Sequence, residues 1–222
     1  DAFWAKERHV QFFIALCLGA MLAMIIYNLF VYQATKDPLH LSFSQMTTSV
    51  GLAIATTYQV TYEYLWPDWP WFANRTVALF IAFTGLTTLS FIRSYLELAS
   101  YSEKFDKIFK GLSVYFLVGL VLPFVVSHRF AATPTLVMAL VTIILVVVCA
   151  VRMAAGGDKR ARLLLVAFGT LFGGAGLTLA GTLGLLPANI LTQYGALPGA
   201  TAFMVLIGFA VGERLNELKQ SG

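Results

Sequence analysis

For 50 residues, from Leu163 to Gly212, this chain carries no Asp, Glu, Lys, Arg or His. A water-exposed fold needs charge on the outward face of each element, and this stretch has none to place there. One helix of that length would run about 75 Å, against a bilayer core of about 30 Å. The stretch therefore holds two helices, and Leu-Pro-Ala-Asn at 186–189 marks the turn between runs of about 162–183 and 194–213. The charges upstream are clustered in the same way. They bound five further apolar runs, at about 10–33, 40–62, 75–95, 109–127 and 133–152. None shows the alternation of a barrel strand. The expectation is an all-α membrane protein, a seven-transmembrane helix bundle over 10–213. Residues 1–9 form a juxtamembrane segment and 214–222 the start of a cytoplasmic helix.

Composition agrees. Charged residues make up 12% of the chain and mean hydropathy is +0.78, whereas soluble domains are about 25% charged. The chain begins without Met and without a charged, apolar and small-residue leader pattern. It reads as part of a longer or processed product.

An odd number of spans puts the termini on opposite sides, and the basic residues choose the orientation. With the N-terminus outside, the inner side carries Lys36, Arg93, Lys104, Lys107, Lys110, Arg152, Lys159, Arg160, Arg162, Arg214 and Lys219. The outer side carries Lys6, Arg8, Arg75 and Arg129. The inward excess favours N-out, C-in. It also accounts for the net charge of +4 without a nucleic-acid partner.

Absences narrow the function. A retinal Schiff base needs a lysine in the last span, and none lies between Lys159 and Lys219. The middle of each span lacks the ionisable groups of a pump or proton-coupled carrier. No zinc, nucleotide or hydrolase motif is present. His9, His40 and His128 are scattered, and Cys17 and Cys149 sit alone in apolar runs. The expectation is no catalytic residue, no metal and no cofactor.

Three regions remain. The first is YEYLWPDWPWFANR at 62–75, which holds three of the four tryptophans and lies outside in this topology. Its rings suit the headgroup layer. They also suit a ligand mouth made by Tyr62, Tyr64, Trp66, Trp69, Trp71 and Asn74, faced by Asn189, Gln193 and Tyr194. Aromatic faces with a few amides fit a sugar, a lipid headgroup or a small apolar ligand. The second is a small-residue stripe, Gly169, Gly173, Gly176, Ala180 and Gly184. It allows close helix packing, either within the bundle or as a seam between two copies. Asn28, in the first span, is expected to hydrogen-bond a neighbouring helix. The third is FAVGERLNELKQ, where Val211, Leu215 and Leu218 form a short a/d seam for an output helix that pairs with its copy.

Several segments resemble the transmembrane region of bacterial seven-transmembrane receptors with diverse intracellular signalling modules. They are YNLFVYQATKDPLHLSF, YEYLWPDWPW, FIRSYLEL, ARLLLVAFG, LGLLPANILTQYG and GFAVGERLNELK, in the family's order and across nearly the whole chain. His40-Leu41 departs from the family's frequent Tyr-Leu. The resemblance implies a multi-pass protein of the bacterial inner membrane, surrounded by membrane lipids and acting as a homodimer. It implies a periplasmic sensor domain before the first helix, and a kinase or diguanylate cyclase type output module after the last. The chain would be the sensory and relay domain between them. The rival is a small transporter or lipid-handling protein. It would use the hydroxyls of FSQMTTSVG and of TTLS at 87–90 as a polar path. A membrane enzyme would need a pair of acid and base groups at one depth, and the sequence offers none.

Overall fold

The computed structural model describes the backbone of residues 2–126, 128–187 and 189–220, and side chains within 8–126, 130–187, 189 and 191–213. Every regular element among the described residues is a helix. In chain order they are α1 (Ala2–Thr35), α2 (Pro38–Thr57), α3 (Val60–Tyr64), α4 (Pro70–Tyr95) and α5 (Leu98–Tyr101). They continue as α6 (Glu103–Val125), α7 (His128–Ala155), α8 (Lys159–Thr182), α9 (Ile190–Tyr194) and α10 (Ala196–Gln220). The boundaries follow local chemistry. Asp37 caps α2, its carboxylate accepting from Leu39 N at 2.9 Å with Pro38 in the first helical position. Asp158 caps α8 by accepting from Arg160 N at 2.8 Å and Ala161 N at 3.3 Å. Such caps satisfy amides that a helix start leaves without an intrahelical acceptor.

Six of the long helices, α1, α4, α6, α7, α8 and α10, are long and apolar enough to cross a membrane. The outward face of α7 shows what they meet there. Leu136, Leu140, Ile144, Val148 and Val151 recur at helical spacing and are all exposed. An apolar stripe of that extent suits hydrocarbon and would be a liability in water.

The seventh long helix, α2, is less apolar, because Ser44, Thr47, Thr48, Ser49 and Thr57 lie along it. Each hydroxyl donates to a carbonyl three or four residues back in α2 itself. The polarity is therefore satisfied within the helix. At 20 residues, α2 spans about 30 Å. The run expected at 40–62 is in fact two helices. The chain breaks after Thr57, with Gln59 in the left-handed region at φ 62°, and restarts as α3. Hydropathy gives no sign of this break.

The long helices close into a ring. α1 packs on α2, α2 on α4, α4 on α7, α7 on α8, α8 on α10, and α10 returns to α1. α6 lies against α4 and α7. The core between them is aromatic and sulfur-rich: Phe43, Met46, Phe91, Tyr95, Phe109 and Phe116 are fully buried. Asn28 joins α1 to α2. Its Oδ1 lies 2.8 Å from His40 Nδ1, and its Nδ2 donates to Met24 O at 2.9 Å. Both residues are 1% exposed. This is the inter-helix bond the sequence predicts, with His40 as its partner. Replacing Asn28 by Leu is expected to lower stability by about 1 kcal/mol, measured as thermal unfolding of the chain in lipid nanodiscs.

The two ends of the bundle differ. At one end, which we term the basic end, the last turn of α4 meets the starts of α6 and α8. Arg93 Nε lies 2.8 Å from Asp106, Lys110 Nζ lies 2.7 Å from the same carboxylate, and Arg160 lies 2.9 Å from Glu97. Arg152, at the end of α7, lies 5.8 Å over the Phe105 ring. The other end, the aromatic end, carries α3, the tryptophan loop and α9.

Candidate functional site

The predicted mouth divides at the aromatic end into two clefts, with α3 contributing to both. Tyr62, Trp66 and Asn74 line the first, a space of about 610 Å³ between the end of α2 and the start of α4. Its other polar groups are the hydroxyls of Thr56, Thr57, Thr61 and Thr76 and the amide of Gln59. Trp66 is held by ring contacts with Phe72 at 5.2 Å and Phe80 at 6.1 Å. Its Nε1 is buried without a hydrogen-bond partner.

Tyr64, Gln193 and Tyr194 belong to the second cleft, of about 540 Å³, walled by α1, α3 and α9. Sequence reasoning missed its aliphatic wall and three of its polar members: Gln11 on α1, Tyr58 after α2 and Glu63 on α3. One signal was available, since Glu63 stands alone as a charge inside the aromatic run YEY. The Tyr58 and Tyr194 rings pack at 5.4 Å. Behind them Ile14, Cys17 and Leu197 form a small buried cluster that ties α1 to α10.

Three predicted mouth residues have other surroundings. Trp69 is 68% exposed, and its carbonyl accepts the first amides of α4, from Phe72 at 3.1 Å and Ala73 at 3.0 Å. Trp71 stacks under Arg75, 4.1 Å from its guanidinium carbon. Arg75 Nε then donates to Pro123 O at 2.9 Å, in the last turn of α6. A cation there satisfies a carbonyl that has no intrahelical donor. Trp71 thus braces a link between α4 and α6. Asn189 caps α9: its Oδ1 accepts from Leu191 N at 2.9 Å and Thr192 N at 3.0 Å, and its own amide donates to Thr192 Oγ1. This is a reciprocal capping box that occupies the side-chain oxygen.

The small-residue stripe also divides. A Cβ on Gly169, Gly173 or Gly176 would meet nothing within 4 Å, so these residues do not pack inside the bundle. Their face is open. Ala180 and Gly184 end the helix instead. Gly184, at φ 73°, donates to Gly181 O at 3.1 Å, and Leu185 N donates to Ala180 O at 2.9 Å. That is a Schellman termination, which favours glycine because of its positive φ. The close crossing of α8 and α10 is made on another face. There Gly174 meets the Gly195 carbonyl and the Gly199 Cα, and Gly181 meets Thr192. Thr178 Oγ1 spans the same crossing and accepts from Ala196 N at 2.9 Å.

Of the output-helix residues, Val211 is 0% exposed and sits in the bundle's own core. The side chains of Leu215 and Leu218 lie outside the described residues. The backbone of α10 is helical through to Gln220, as the sequence predicts. Among the described residues no cluster of His, Cys, Asp or Glu is grouped to hold a metal ion.

Six apolar helices in a helical bundle make this a multi-pass membrane protein. The chain belongs to the 7TM diverse intracellular signalling family, whose profile matches residues 10–214. That match covers most of the 222 residues and makes the chain a membrane domain associated with intracellular signalling. Neither a curated protein nor a solved structure matches it.

Proposed function

We propose that this chain is the sensory and relay domain of a bacterial inner-membrane receptor. In this reading α2 is the seventh span, the aromatic end faces the periplasm and the basic end faces the cytoplasm. The positive-inside rule supports that orientation, because Arg93, Lys110, Arg152 and Arg160 sit together at one end. A periplasmic domain precedes α1. An output module of kinase or diguanylate cyclase type follows α10, and two copies pair through the extension of α10. The chain itself supplies no catalytic group and no cofactor.

One observation carries the reading. The second cleft draws its walls from the elements a relay must connect. α1 leads in from the upstream side. Tyr194, from α9, is two residues from the start of α10. α10 then runs 25 residues to the basic end and beyond it. A ligand that prefers one packing of α1 against α9 would bias α10 by its differential affinity for the two packings, and by no more than that.

The carrier reading is weaker. Of its candidate polar path, Thr48 and Thr88 are half-buried and Ser90 is exposed, and Ser44, Thr47, Ser49 and Thr87 are the buried members. They are at most 6% exposed. Ser44, Thr47 and Ser49 donate to carbonyls of α2, and Thr87 Oγ1 lies 2.7 Å from Ser49 Oγ, which is free to accept from it. Such hydroxyls hold helices together rather than line a water path.

Cysteine cross-linking tests the relay. The full-length protein in native membranes, with Cys17 and Cys149 replaced, would carry single cysteines at 211, 215 and 218. Positions 215 and 218 are expected to cross-link between copies. Position 211 is expected to stay silent, because Val211 is enclosed by its own bundle. Silence at all three positions would remove the paired output helix.

A further inference from the structure

The second cleft has a composition that selects a ligand class. Its α1 wall is aliphatic: Val10, Ile14 and Leu18 stack at intervals of four, and Val60 continues that surface from α3. Opposite lie three phenol rings, those of Tyr58, Tyr64 and Tyr194. Among the described residues the cleft is lined by one carboxylate, Glu63, and by no Lys, Arg or His. The amides of Gln11 and Gln193 complete the polar rim.

Each ligand class meets this lining differently. An anion would face Glu63 with no cation to offset it. A sugar presents hydroxyls on all sides, and those against the aliphatic wall would lose water without gaining a partner. A purely apolar ligand leaves the carboxylate without a role. A cation with apolar substituents suits every wall. Its charge lies against the negative faces of the phenol rings and beside Glu63, and its alkyl groups lie on the aliphatic surface. An exposed ion pair alone contributes little, so the rings and the aliphatic wall must supply much of the affinity. The cleft's volume of about 540 Å³ is within the range of small-ligand sites.

We propose that the cleft formed by Tyr58, Glu63, Tyr64 and Tyr194 against the α1 wall is a binding site for an organic ammonium. This names the ligand class of the sensory reading given above and deepens it. The ammonium has two physical sources, a free solute and the headgroup of a membrane lipid.

Choline is the probe, and 3,3-dimethylbutan-1-ol is its uncharged isostere. The 222-residue chain would be placed in phosphatidylglycerol nanodiscs, which carry no ammonium, and choline binding read by saturation-transfer NMR against empty nanodiscs. Saturable choline binding is expected, with the alcohol at least tenfold weaker. Glu63→Gln is expected to weaken choline about fourfold and leave the alcohol unchanged, which also reports that the cleft is intact. Tyr194→Leu is expected to weaken choline about threefold. Replacing half the lipid by phosphatidylcholine separates the sources. Competition with choline assigns the site to the headgroup, and no competition assigns it to the free cation. Absence of saturable binding overturns the proposal. So does equal binding of the alcohol, or choline affinity unchanged in Glu63→Gln. The assay reads the site without an output module. A positive result here with no cross-links at 215 and 218 would therefore keep the site and discard the relay.

Discussion

Gly174→Ala is expected to destabilise the bundle by about 2–3 kcal/mol, while Gly173→Ala, one residue away, leaves stability unchanged or raises it by up to about 1 kcal/mol. The contrast follows from what each new methyl group would touch. At 174 it would meet the Gly195 carbonyl, with the Gly199 Cα at 2.8 Å. Both are backbone, so no side-chain rotamer can give way, and α8 and α10 must move apart. Separation would also break the bond from Ala196 N to Thr178 Oγ1, now 2.9 Å, and leave an amide of α10 without its acceptor. At 173 the methyl group would meet nothing within 4 Å. Thermal unfolding of the two variants in the same nanodiscs checks the pair. Equal stability would mean that α8 and α10 do not cross where the structure places them. Because α10 is the proposed output helix, Gly174→Ala is also expected to alter signalling in the full-length receptor even in the fraction that folds.

That pair of neighbours shows where the sequence was readable. Periodicity picked out Gly169, Gly173 and Gly176 as one face, and they are one face, but periodicity cannot say what a face looks at. The matching signal was on the partner helix. Gly195-x-x-x-Gly199 is a second small pair at the same depth, and crossing glycines come in matched pairs. Gly184 was legible for a different reason: a glycine just past an apolar run is a helix stop. Asn189 was legible too, since Asn-Ile-Leu-Thr ahead of an apolar run has the spacing of a capping box. Read that way, its side-chain oxygen would not have been counted as free for a ligand.

Charge and proline mark some helix ends, although α4 and α6 begin at Pro70 and Glu103, before the expected 75 and 109. Asp37-Pro38 and Asp158 have the residue pattern of helix caps, and both aspartates are caps in the structure. The tryptophans fared worse. Three rings within six residues look like one surface. Their positions depend on where α4 begins, and that start separates Trp66, tucked against Phe72 and Phe80, from Trp71, one helical turn before Arg75. Tyr58 and Gln11 could not be paired from sequence at all. They are 47 positions apart, and only the closure of α1 against α2 and α10 brings them to one cleft.

The second large effect is expected at the basic end, where Arg93→Leu should cost about 2 kcal/mol and Asp106→Leu added to it should restore stability to within about 1 kcal/mol of the native chain. The carboxylate of Asp106 is the enclosed partner. Its residue is 5% exposed, and it is held by Arg93 at 2.8 Å and Lys110 at 2.7 Å. Removing Arg93 leaves that buried anion with Lys110 alone, whose side chain is 59% exposed and competes for water. Stranding one member of an enclosed pair is costly, whereas replacing both by apolar groups of similar volume is nearly neutral. The estimate sits below the range for fully buried pairs because the Arg93 side chain is itself 28% exposed. A double-mutant cycle by thermal unfolding in nanodiscs gives the coupling directly. Additive losses would show that the two side chains act independently, and the pairing of the end of α4 with the start of α6 would have to be abandoned. Rescue by the double variant would show that the loss in Arg93→Leu comes from the stranded carboxylate of Asp106, and that apolar packing holds the end of α4 to the start of α6 once neither charge is there.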